Sequence, residues 1–391
     1  MDFEKTIDRK QTSSVKWDRA EKIFGSSDVL PMWVADMDFD NARPIKDALR
    51  KMIDDEVLGY TFPPDSLFTA ISNWQNTNHN MPTKRENILL SPGVLSSIAV
   101  AVQAFTDPGD SVLIHDPVYP PFFSMVNKNE RQVYRTPLNL ENGQYSMDFD
   151  DIERQFKDEH IKMFVLSNPH NPGGRVWSEN ELIQLVELCK KYSVILISDE
   201  IHSDLVYSEN TCVSPVTLDA SYKDWVITLH SATKTFNIAG VKTSFILVFN
   251  EDLKEKLVKV QEETELDIVN TFGMRATEAA LAESSEWHVA LLEKLEANRS
   301  IVTDFFDKEL SDVVYMVPEA TYLFWFDASR LGVDNDKLRE TFARIGKIGL
   351  NDGVSYGPSG KSYMRLNFAV PQSLLIDGLK RIKTVFDHYS K

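Results

Sequence analysis

Lys234 stands in SATKTFNIAG (231–240), directly after the apolar run VITLH (226–230), where its amine could serve as a nucleophile. Three earlier apolar runs also end in unusual residues. SVLIH (111–115) leads into DPVYPPF with Tyr119; IKMFVLS (161–167) leads into NPHNPGG with Asn168 and Asn171. VILIS (194–198) leads into DEIHSDLVY with Asp199 and His202. Each has an ordinary explanation: a solvated lysine, an aspartate capping a helix, a tyrosine packed under a turn, an asparagine starting one. Their joint occurrence in this order points instead to one chemistry. A partly desolvated lysine amine condenses with an aldehyde. A pyridine ring becomes an electron sink when a buried carboxylate keeps its nitrogen protonated. The ring needs an aromatic face to stack on, and its oxygen needs a hydrogen-bond donor.

These residues need elements to hold them. The runs at 111–115, 161–167, 194–198 and 226–230, with SFILVF (244–249), read as buried strands. Helical stretches such as ENELIQLVELCKKY (179–192) lie between them, so the expectation is a mostly parallel sheet covered on both faces. Ligands bind beyond the carboxyl ends of such strands, where the four sets of residues fall. SPGVLSSIAVAVQAF (91–105) predicts a helix whose N-terminus could take a phosphate, with Gly93 allowing close approach. Ser231, Thr233 and Lys242 could add hydroxyls and a cation. A long helix over about 285–310 leads to a second pattern, in which YLFWF (322–326) and SYMRLNFA (362–369) read as strands and LLIDGLKRIKTVFDHY as a closing helix. We therefore expect a large domain over 45–284 and a smaller α+β domain from 1–44 and 285–391.

Composition bounds the rest. The chain has 391 residues, 42% hydrophobic and 26% charged, which suits a globular protein with a sizeable core. A formal net charge of -17 disfavours nucleic acid as a partner. The two cysteines, Cys189 and Cys212, and the eight scattered histidines show no disulfide framework or metal spacing, and Cys189 reads as a packing residue. The charged N-terminus lacks the apolar core of a signal peptide, and no run is long enough to span a membrane, so a cytoplasmic protein is expected. Ser231-Ala-Thr-Lys234 also fits the S-x-x-K of penicillin-binding enzymes, but S-D-N and K-T-G are missing. Gly360-Lys361-Ser362 has Ser355 where a P-loop needs glycine, and no G-x-G-x-x-G occurs.

The order SPG, DPVYPPF, NPHNPGG, DE, SxxK and RLNF resembles the fold-type-I pyridoxal-phosphate enzymes of the aspartate-aminotransferase superfamily over nearly the whole chain. LPMWVADMDF (30–39), GYTFPP (59–64), SDEIHSDLVY (198–207), SATKTFNIAG and YMRLNFA (363–369) are similar to the MalY/PatB-like cystathionine β-lyase (C–S lyase) branch. The resemblance implies a seven-stranded, mostly parallel sheet and pyridoxal 5′-phosphate as cofactor. It implies that Lys234 holds the cofactor and acts as base at Cα, Asp199 pairs with the ring nitrogen, Tyr119 stacks on the ring, and Asn171 binds its oxygen. His202 lies where many aminotransferases place a tyrosine. Gly93, Val94, Ser231 and Lys242 would hold the phosphate, joined by Tyr60 from a neighbouring subunit of a homodimer. Arg365 would clamp the substrate carboxylate, with Ala35 and Asn171 beside it. NPGG departs from the common NPTG; little effect is expected. The implied reaction is β-elimination releasing thiol, pyruvate and ammonia. Transamination uses the same residues, and a cofactor-binding regulator with vestigial catalysis is the third reading.

Overall fold

The computed structural model describes residues 1–141 and 143–389. Seven strands form the main sheet: β1 (Ile88–Ser91), β2 (Ser111–Asp116), β3 (Gln132–Pro137), β4 (Met163–Ser167), β5 (Ile195–Asp199), β6 (Val226–His230) and β7 (Ser244–Leu247). Their order across the sheet is β1-β7-β6-β5-β4-β2-β3. All neighbours pair in parallel except β7, which runs antiparallel to both β1 and β6. The expected α/β class and mostly parallel sheet are therefore present, with one strand reversed. Sequence reading placed β4 two residues early and β5 one residue early, and ran β7 two residues long.

Alternation along the strands builds a core on each face. Val112, Ile114, Met163, Val165 and Ile197 pack with Ile98 and Val102 of the helix Val94–Phe105 and with Leu257 of Glu251–Thr264. Leu113, Phe164, Leu166 and Leu196 point the other way, onto Ile152, Leu182, Leu185 and Cys189. Cys189 is thus a packing residue, and burial pushes its thiol well up. The helix Glu179–Tyr192 starts at a reciprocal cap between Ser178 and Glu181 and stops where Ser193 turns left-handed.

A four-stranded antiparallel sheet is built from β8 (Tyr315–Met316), β9 (Leu323–Asp327), β10 (Asn351–Asp352) and β11 (Tyr363–Asn367), in the order β8-β9-β11-β10. It follows the 25-residue helix Ser285–Glu309, and the chain closes with Gln372–Tyr389. The N-terminal segment joins this part: Leu30 and Pro31 pair in parallel with Ile348 and Gly349. Among the described residues no helix is long and apolar enough to cross a membrane.

Candidate active site

A cavity of about 230 Å³ opens at the carboxyl ends of the central strands. Its lining includes ten of the residues singled out from sequence: Ala35, Gly93, Val94, Tyr119, Asn171, Asp199, His202, Thr233, Lys234 and Lys242. They come from six segments far apart in the chain, most of them gathered where the parallel strands end at one edge.

Asp199 is the last residue of β5 and is buried. It does not cap a helix; one oxygen accepts the N–H of Ile201 at 3.1 Å. Burial pushes its carboxyl up to about 7, against the opposing pull of that N–H and of Lys234. A carboxylate so placed would be stabilised in its charged form by a cation brought against it. Lys234 lies on the short helix Ala232–Thr235, and its ammonium donates to the carbonyl of Ala35. Burial and the nearby Arg365 push the Lys234 amine down to about 8, which makes a neutral nucleophile accessible near neutral pH. Tyr119 leads from β2 into the helix Pro120–Lys128, and burial raises its phenol to about 12, so it stays a neutral ring. His202 is held neutral by burial and by Lys234 and Arg365, and its Nδ1 has no hydrogen-bond partner among the described residues.

The helix Val94–Phe105 starts at the cavity without a side-chain cap, at Gly93 with φ 149°. A Cβ on Gly93 would meet nothing within 4 Å, so open space lies beside an uncapped helix N-terminus. Lys242 and Thr233 face the same cavity. Ser231 does not line it. Its hydroxyl bonds Thr233 N–H at 3.1 Å and the Thr243 carbonyl at 2.6 Å, which fixes the turn bearing Lys234.

Arg365, on β11, reaches the site from the second sheet and is buried. One terminal nitrogen donates to Asn171 Oδ1 at 3.1 Å and the other to the Trp33 carbonyl at 2.9 Å, while Nε has no partner among the described residues. Tyr60 lies outside the cavity lining and is fully exposed.

Sequence reasoning missed the backbone carbonyls of Trp33 and Ala35, which no side-chain pattern reveals, and Ser96, Ser167 and Thr243 on the cavity wall. It also missed Asp204, which accepts from Thr235 at 2.7 Å, Trp74 at 2.9 Å and His79 at 2.7 Å. The carboxylate anchors the residue next to Lys234 from below. The glycine of NPGG has a local reason: a Cβ at Gly173 would lie 2.9 Å from the Tyr145 ring and 3.1 Å from Met316 Sδ.

The residues fit an anionic, flat, aldehyde-bearing ring. A buried carboxylate wants a cation, an uncapped helix start faces a lysine, and an aromatic face and an amine converge on the same space. Comparison with known proteins agrees. Residues 27–381 match the model of aminotransferase class I and II. The chain is 39% identical to the cystathionine β-lyase PatB of Bacillus subtilis over 98% of this chain and 99% of that one. Its fold is similar to that of cystalysin from Treponema denticola, a structure containing pyridoxal 5′-phosphate, with TM-score 0.95, 32% identity and 99% of each chain covered. The pyridoxal-phosphate-bound C–S lyase of Staphylococcus hominis gives TM-score 0.93 at 31% identity over 98% of each chain.

Proposed function

The chain belongs to the class I and II aminotransferase family, and within it we propose a pyridoxal-phosphate-dependent carbon–sulfur β-lyase. The substrate class is cystathionine or a related cysteine conjugate, and the products are a thiol, pyruvate and ammonia. The observation that carries this reading is the convergence of Lys234, Asp199 and Tyr119 on one cavity with the uncapped helix start at Gly93. The likeness to the cystathionine β-lyase PatB and to the C–S lyase structure supports elimination over transamination.

Pyridoxal phosphate, when bound, supplies a protonated ring that accepts the electron pair left at Cα. Every other task falls to the chain. Lys234 would hold the cofactor through its amine and, as a free base, would take the proton from the substrate Cα. Asp199 keeps a proton on the ring nitrogen. Burial raises its carboxyl, and a pyridinium beside it would favour the ionised form. Tyr119 gives a neutral face to stack on, and Asn171 binds the ring oxygen. Gly93, Val94, Ser231, Thr233 and Lys242 are assigned to the phosphate, Ser231 through the turn that it fixes. His202 stays uncharged beside Lys234, and Arg365 binds the substrate carboxylate near Ala35. The domain division 45–284 against 1–44 with 285–391 belongs to this proposal, supported by the separate sheets and the Leu30–Ile348 pairing. So does the cytoplasmic location.

Pyruvate and thiol release from cystathionine and S-alkyl cysteines, followed beside amino-acid/2-oxoglutarate exchange, tests the reaction. We expect release to dominate, and to run faster with conjugates of more acidic thiols if C–S cleavage limits the rate. Robust exchange without thiol release would return the chain to the aminotransferases.

A homodimer with shared sites is the proposed assembly. Val57, Leu58, Tyr60 and Phe62 are exposed together, and the Thr61–Thr271 hydroxyl contact of 2.7 Å sets this loop near exposed Ile268. Such a patch suits burial against a second copy. Mixing a Tyr60→Ala chain with a Lys234→Ala chain should restore activity, since each heterodimer then holds one intact site. No recovery with heterodimers present would confine each site to one chain.

A further inference from the structure

The segment Trp33–Asp38 crosses between the two sheets with no strand partner of its own. Its carbonyls are held by side chains instead. Trp33 O accepts from Arg365 at 2.9 Å and from Asn351 at 3.1 Å. Val34 O and Asp36 O each accept from Asn367 at 2.6 Å. Ala35 O accepts from Lys234 and from Tyr322, the latter at 2.9 Å. The segment therefore touches both the lysine and the arginine of the site.

Two cations from the N-terminus grip its other side. Arg9 reaches Asp36 and Asp38, each at 2.7 Å, and also the Met37 carbonyl at 3.2 Å. Lys16 has no exposed side-chain surface; its ammonium lies 2.8 Å from Asp38 and 3.8 Å from Asp36. Trp17 donates to Asp38 at 2.9 Å, and the Lys16 carbonyl accepts from Trp33 at 3.1 Å. Burial alone would raise the Asp38 carboxyl, but Lys16, Trp17 and Arg9 outweigh it and hold the group ionised. Breaking one member of such a buried set leaves charge uncompensated, so the set has a single well-defined geometry.

We propose that Arg9 and Lys16 are positioning residues: their ion pairs to Asp36 and Asp38 clasp the 33–38 segment, whose Trp33 carbonyl then aims Arg365 at a substrate carboxylate. This rests on the amino-acid and pyridoxal-phosphate reading of the site. Loosening the clasp lowers the fraction of molecules with Arg365 aimed, and apparent affinity falls by that fraction.

The test uses the full chain loaded with pyridoxal phosphate and titrated with L-alanine, which has no leaving group at Cβ, while the visible absorbance is followed. Arg9→Gln and Lys16→Met should each keep the visible band and weaken alanine binding about tenfold. L-Alaninamide, which lacks the carboxylate, should bind wild type and variants equally. Should Lys16→Met fail to fold, Arg9→Gln decides, because Arg9 is 23% exposed and water can reach the charge it leaves. Alanine affinity within about twofold of wild type, or an equal loss for alaninamide, overturns the clasp, even where melting temperature falls. A wild-type protein that shows no visible band with pyridoxal phosphate overturns the site reading and the clasp with it.

Discussion

Lys234→Ala should abolish turnover and the visible absorbance of the covalently held cofactor, while the phosphate site still retains some pyridoxal phosphate. The reason is that the proposed role gives Lys234 two duties, attachment and proton removal at Cα. Loss of a positioned base alone costs about 10²–10⁴-fold. The structure makes the amine fit for both: burial pushes it down to about 8, and the neighbouring Arg365 adds to that push. Alanine cannot refill either role. The proposed phosphate contacts at Gly93, Val94 and Lys242 do not involve the Lys234 side chain and should survive. Absorbance spectra, with phosphate content after gel filtration, check both halves. Retention of the wild-type band in the variant would remove Lys234 from the centre of the site.

Asp199→Ala should leave a folded protein with turnover lower by roughly 10²–10³-fold, the scale on which one preorganised electrostatic partner acts. Without the carboxylate the ring nitrogen is no longer held protonated, and the electron pair at Cα has a poorer sink. Folding should tolerate the change. Burial pushes this carboxyl up to about 7, and removing the group relieves that desolvation. Arg365→Ala offers the contrast. Its proposed contact with the substrate carboxylate would be made in ground and transition states alike, so affinity should suffer more than turnover. Steady-state kinetics of the two variants on one substrate separate these effects. The same phenotype in both would undo the division between electronics and binding.

Much of this site was legible because its residues sit at ends of apolar runs. Tyr119, Asn171, Asp199 and Lys234 each follow a run that reads as a buried strand, and parallel strands end at a common edge. What stayed hidden has physical causes too. An apolar run reads the same in either direction, so SFILVF could not announce that β7 runs antiparallel. A hydroxyl near a phosphate site has the same letter as one that caps a turn, and only packing turned Ser231 toward Thr233 and Thr243. Gly173 looked like a harmless departure until the Tyr145 ring was found in the space that a side chain would need.

The amino-acid sequence by itself determined which side chains could do the chemistry and on which strand ends they stand, since hydrophobic periodicity and local turns are short-range properties. Tertiary structure alone decided how they are aimed. Arg365 and Asn171 meet across 194 positions, and Lys234 reaches the Ala35 carbonyl across 199. Those contacts depend on strand order, on two sheets meeting at one cavity, and on backbone carbonyls that every residue carries alike. Nothing in a residue's type records whether its carbonyl will face a catalytic amine; the fold assigns that by placing one unpaired segment between the sheets.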